Sequence, residues 1–101
     1  MKKYEVIENN AGNLYLVTFD ASGAADYIAD CTSELPDALE QLKQGADPVA
    51  DGWGFGGLED TLEDHTPEEL YQELSETGEV VADSNGTYPD RMGVAAARAL
   101  Q

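Results

Sequence analysis

Over its first thirty residues the chain alternates in the manner of extended backbone. Residues 3–8 and 13–19 are rich in aromatic and β-branched side chains, which suit a pleated surface. Between them lies Asn9-Asn10-Ala11-Gly12, residue types that accept the positive φ of a tight turn, so the segment predicts an N-terminal β-hairpin. In the second strand Tyr15, Val17 and Phe19 share one face, while Leu14, Leu16 and Thr18 share the other. One face meets helices, and the Leu14/Leu16 side needs a partial cover of its own. After a turn at residues 20–23, residues 26–31 read as a third strand that completes an antiparallel meander, with Tyr27, Ala29 and Cys31 opposite Asp26, Ile28 and Asp30.

Helical spacing begins at Leu35, and Leu35, Ala38, Leu39 and Leu42 form one apolar stripe. Ser33 or Asp37 is the expected cap, Pro36 fits the first turn, and Gly45 stands where a helix ends. Residues 46–57 hold too many glycines for regular structure and read as a loop. Leu58-Glu-Asp and Leu62-Glu-Asp, four residues apart, repeat as one helical turn. Thr66-Pro-Glu-Glu69 matches a capping box with proline in the first helical position, and Leu70 and Leu74 give the helix that follows its apolar side, up to Gly78. Residues 79–83 then read as a strand, Asn85-Gly86 as a turn, and residues 90–100 as a terminal helix weakened by Gly93. The order β-β-β-α-α-β-α predicts a single α+β domain over residues 1–101. Its small antiparallel sheet begins with the hairpin, and two to three helices pack on one face.

Charge changes the picture. The 101 residues carry 21 acidic and 5 basic side chains, a formal net charge of −16, with 42% apolar residues. Such a chain folds against its own repulsion. Direct binding to nucleic-acid phosphates needs clustered cations, and Lys2, Lys3, Lys43, Arg91 and Arg98 are scattered. One cysteine makes no internal disulfide, and one histidine with it makes no zinc set, so no metal or other cofactor is expected. Met-Lys-Lys is not followed by the apolar stretch of a signal peptide, and no run is long enough for a membrane span. The expectation is a soluble, cytoplasmic protein.

No motif carries catalysis. Glycines 52, 54, 56 and 57 lack the Gly-Lys-Ser/Thr of a phosphate loop and are flanked by carboxylates. Residues 83–90 fail the calcium-loop pattern, because glycine falls fourth and the twelfth position is Val94. His65 lies in a polar stretch and reads as a solvated residue, Cys31 as a small core hydrophobe, and no carboxylate pair is singled out for acid–base work. The expectation is a binding protein, not an enzyme, with no catalytic residue. Trp53 and Phe55 either tuck into the core or anchor a partner, as exposed aromatics at interface centres do.

The acidic field itself is what remains. Between Lys43 and Arg91 there is no basic residue, and Glu59/Glu63, Asp60/Asp64 and Glu69/Glu73/Glu76 fall at helical spacing, as rows of like charge. Such rows approximate the phosphate spacing of a nucleic-acid strand and could occupy a basic groove. A face serving only solubility or salt adaptation is the competing reading.

Residues 4–10, 47–53 and 81–93 resemble small acidic proteins encoded on bacterial plasmids, conjugative elements and phages. That resemblance spans most of the chain and brings no assigned functional residues. Its mobile-element setting implies a counter-defence role, such as an acidic DNA mimic of the anti-CRISPR or anti-restriction type. The leading expectation is therefore a non-enzymatic inhibitor that binds a basic, nucleic-acid-binding protein. Glu59, Asp60, Glu63, Asp64, Glu69, Glu73 and Glu76 would stand in for phosphates, with Trp53 or Phe55 as the apolar anchor. The alternative is an adaptor or antitoxin-like module for another basic protein.

Overall fold

A computed structural model describes residues 2–100. The strands are β1 (Tyr4–Glu8), β2 (Leu14–Phe19), β3 (Ala25–Asp30), β4 (Glu79–Asp83) and β5 (Gly86–Thr87). The helices are α1 (Leu35–Lys43), α2 (Thr61–Asp64), α3 (Pro67–Thr77) and α4 (Val94–Leu100), with a 3₁₀ turn at Pro89–Arg91 before α4. All five strands form one antiparallel sheet in the order β3-β2-β1-β4-β5. The fold is α+β and opens with the expected hairpin. Asn9 makes its turn: Oδ1 accepts from the backbone N–H of Ala11 (3.0 Å) and of Asn13 (2.9 Å), and Gly12 takes φ 82°.

The helices do not gather on one face, as the sequence reading had them. On one side of the sheet Val6, Leu14, Leu16, Tyr27 and Ala29 pack with Leu35, Ala38 and Leu39 of α1 and Ala96 of α4. On the other, Ile7, Val17, Ala25 and Ile28 pack under Leu58, Leu62, Leu70, Tyr71 and Leu74. The reason lies in the strands. Val6, Ile7, Leu16 and Val17 are all fully buried, and since neighbouring strand residues point to opposite faces, both faces must leave water. A bulge in β4 refines the split: Val6 pairs with Ala82 but Ile7 with Val80, so the skipped Val81 joins Ala82 on the α1/α4 side.

Local signals fare unequally. The Thr66–Glu69 capping box of α3 forms as read, with Pro67 opening the helix. Neither Ser33 nor Asp37 caps α1; Glu34 stands at its N-cap without a side-chain bond. The terminal helix is broken at Gly93, whose N–H donates to Glu8 Oε1 (2.6 Å), and any Cβ there would run into that carboxylate. Asn85-Gly86 does turn the chain, and Gly86–Thr87 then adds the short β5.

Helices on opposite faces require the chain to cross between α1 and α2, and no strand lies between them. The crossing passes over β3, an edge strand, and the glycine-rich loop makes it. Tyr27, almost completely buried, donates its hydroxyl to the carbonyl of Gly54 (2.7 Å). Trp53 and Phe55 pack on either side of that anchor point, their ring centroids 6.3 and 5.8 Å from that of Tyr27. Gly56, at φ 58°, lies so close to the backbone of Asp30 that a side chain has no room. The loop and a bond from Ala25 N–H to Glu68 Oε2 (2.5 Å) cover both ends of the exposed edge, which protects it from pairing with another chain.

Gly56→Ala combines a left-handed backbone with a collision against Asp30, and it should cost about 2–4 kcal/mol in urea melts. Gly54→Ala, with open space and no positive φ, should stay within about 0.5 kcal/mol of the parent. Equal effects would mean that the loop does not cross where described.

Candidate functional site

Residues 59–76 present the acidic face. Leu58 opens a turn whose first bond, Leu62 N–H to the Leu58 carbonyl (2.9 Å), precedes α2, so Glu59/Glu63 and Asp60/Asp64 remain one helical turn apart. α3 follows as a separate helix after an extended His65–Thr66. Leu62, Leu70, Tyr71 and Leu74 fix both helices to the sheet, Tyr71 meeting Phe19 edge-to-face with centroids 5.2 Å apart. What is left to solvent is Glu59, Asp60, Glu63, Asp64, Glu69, Glu73 and Glu76, every one exposed. Among the described residues no Lys or Arg forms an ion pair with any of them; the one ring nitrogen close by is His65 Nδ1, 3.8 Å from Glu69 Oε2.

These carboxylates are not equivalent. Glu69 serves the helix: its Oε1 accepts from Thr66 N–H (3.1 Å), and that bond, the Thr66 hydroxyl and His65 hold its carboxyl below the ordinary range. Glu59 and Glu63 border a shallow groove with Asp26, Phe55, Leu62 and His65. Glu76 lies at the far end of α3 beside Glu79 and Glu8. The two aromatics also separate. Both are half-buried against Tyr27; Phe55 faces the Glu59/Glu63 groove, whereas Trp53 faces α1 on the other side of the loop.

The sequence reading missed a buried ionic cluster at the base of the sheet. Glu5 and Asp83 are cross-strand partners and are 5% and 1% exposed. Lys2 bridges them, with Nζ 2.9 Å from Glu5 Oε2 and 3.1 Å from Asp83 Oδ2. Tyr71 donates to Glu5 (2.8 Å), and Tyr88 (2.6 Å) and the Asn85 backbone N–H (2.8 Å) donate to Asp83. Burial pushes Asp83 up, but the bonds from Tyr88, Asn85 and Lys2 outweigh it and hold the carboxyl below its usual value. Lys2 is raised, first by its bond to Glu5 and then by Asp83. Every acceptor in the cluster is occupied from within, so it reads as a clasp and offers nothing to a substrate. Its only sequence signal is three separate charged residues, Lys2, Glu5 and Asp83, in or next to strands, which look like solvent-facing positions.

Cys31 is buried, and burial with help from Glu34 and Asp30 pushes its thiol up to about 11, away from the thiolate a nucleophile needs. His65 is half-exposed beside Glu69. Among the described residues no three His, Cys, Asp or Glu side chains are grouped to hold a metal ion, and no helix is long and apolar enough to cross a membrane. No family model, curated protein or solved structure matches the chain.

Lys2→Met leaves Glu5 and Asp83 facing each other without a cation and should cost about 1.5–3 kcal/mol at pH 7. The signs with pH then oppose. In the parent, the stability from the depressed Asp83 is present above the ordinary carboxylate range and is lost as pH falls through its folded value. In the variant, a proton taken up between the two acids relieves them, so the deficit shrinks as pH falls toward about 4. Urea melts at both pH values check this; a deficit independent of pH would mean that Lys2 only packs. With a net charge of −16, the parent's melting temperature should also rise as sodium chloride screens the surface.

Proposed function

We propose that the protein is a non-enzymatic inhibitor whose α2–α3 face occupies the nucleic-acid groove of a basic protein. One observation carries this reading: seven carboxylates within eighteen residues, Glu59 to Glu76, stay in solvent on α2, the turn that leads into it and α3, with no Lys or Arg anywhere between Lys43 and Arg91. Folding opposes such rows, since like charges one helical turn apart destabilise a helix. The face is also firmly backed by Leu62, Leu70, Tyr71 and Leu74, which suits a surface that must hold charges at fixed spacing. Its field speeds encounter with a positive groove, and the half-buried Phe55 beside Glu59 and Glu63 adds an apolar contact where charge alone gives little affinity. A counter-defence role against a restriction or CRISPR nuclease fits the acidity and the resemblance to mobile-element proteins.

Glu59, Glu63, Glu73 and Glu76 can be reversed to Lys together, leaving Glu69 to cap α3. Pull-down from a bacterial lysate should recover a nucleic-acid-binding protein that duplex DNA or RNA displaces, and the reversed variant should lose capture by at least about tenfold. Circular dichroism confirms that the variant folds. A partner with no affinity for nucleic acid would favour the adaptor reading and overturn mimicry, as would capture that survives the reversals.

A further inference from the structure

On the α1 side of the crossover loop, a groove of about 470 Å³ runs between Trp53 and the helix. Its floor is Tyr27 and Ala29 of the β3 edge and Cys31 just beyond it. Glu34, Asp37, Ala38 and Gln41 form the opposite wall, at the spacing that aligns residues along one ridge of a helix. The Trp53 wall is held in place by three ties. Its backbone N–H donates to the Pro48 carbonyl (2.9 Å), its ring meets Tyr27 edge-on at 83°, and the Gly54 carbonyl beside it accepts from the Tyr27 hydroxyl.

Two exposed carboxylates, Glu34 and Asp37, line the rim, and among the described residues no Lys or Arg pairs with either; Asp30 also borders the groove, but its carboxylate accepts from the Thr32 N–H and hydroxyl. Their field reaches the floor. Burial, then Glu34 and Asp30, pushes Cys31 up to about 11, and burial followed by Cys31 and Glu34 pushes Tyr27 up to about 12. An anion is therefore repelled. A compact metal ion is unsuited as well, because the acids are spread along the rim and do not converge. A flat, delocalised cation on an apolar stem fits both walls: its face stacks on an indole, and its N–H groups reach carboxylates set apart from one another.

We propose that this groove binds an arginine side chain presented by a polypeptide partner, with the guanidinium between Trp53 and the Glu34/Asp37 wall. Free arginine is excluded as the natural occupant because its own carboxylate would enter a rim that already holds Glu34 and Asp37. The groove lies outside the α2–α3 face, so this proposal goes beyond the mimicry reading and stands or falls separately from it.

Trp53 is the one tryptophan in the chain, so tryptophan emission, excited beyond the absorption of the five tyrosines, reports on this groove. Titration with acetyl-Ala-Arg-Ala-amide should give a saturable change. The same peptide carrying uncharged citrulline, and free arginine, should each bind at least about tenfold more weakly. Glu34→Gln with Asp37→Asn should weaken binding of the arginine peptide by at least about tenfold, whereas Glu63→Gln with Glu73→Gln should leave it within about twofold. Both pairs are exposed substitutions, and an unchanged amide NMR spectrum away from them shows that the fold is kept. No saturable change, equal binding of citrulline or free arginine, or equal loss in both variants would overturn the proposal.

Discussion

Two adjacent central strands that are apolar on both sides impose the architecture. Val6 and Leu16 on one face and Ile7 and Val17 on the other are fully buried, so a cover on one side alone would leave a row of β-branched and leucine side chains in water. The chain meets this by assigning α1 and α4 to one side and α2 and α3 to the other. The return from α3 to α4 is made by β4 and β5, which belong to the sheet. The outward passage has no such help and must go around the β3 edge. Hence the glycines, the Tyr27 hydroxyl that pins Gly54, and the contact of Gly56 with Asp30.

That single crossing also organises the surface. It holds Phe55 against the α2 side and Trp53 against the α1 side, dividing two aromatic residues only two positions apart between separate grooves. Each groove is bordered by carboxylates, those of α2 in one case and of the α1 start in the other. The protein thus presents negative charge beside an apolar surface at two places, both referred to the same rigid Tyr27 anchor.

Negative charge is otherwise kept outside the fold. Glu5 and Asp83 are the exceptions, and they are buried only because Lys2 comes between them and two tyrosine hydroxyls and a backbone N–H complete their bonding. A buried acid without such partners costs several kcal/mol, more than a small domain under strong self-repulsion can absorb. Placing one of five basic residues there ties the start of β1 to β4 and leaves the acidic helices free of cations.

Signals that act over a few residues were legible in the sequence: the hairpin with its Asn-Gly turn, the capping box at Thr66, the meander order, and the stripe of α1. Each depends on backbone preferences or side-chain periods shared by immediate neighbours. The net charge, and the absence of any cation between Lys43 and Arg91, were equally plain. Features joining distant residues were not. The bond from Gly93 to Glu8 spans 85 positions and breaks the last helix, and the Lys2–Glu5–Asp83 clasp forms only because β4 docks on β1. The two-faced core was visible as an alternation in β2, but which helix covers which face is decided by packing at the sheet edge. Trp53 and Phe55 could be read as core or as anchors until Tyr27 placed both at the margin, because burial depends on what approaches a residue in space and the chain records only what precedes and follows it.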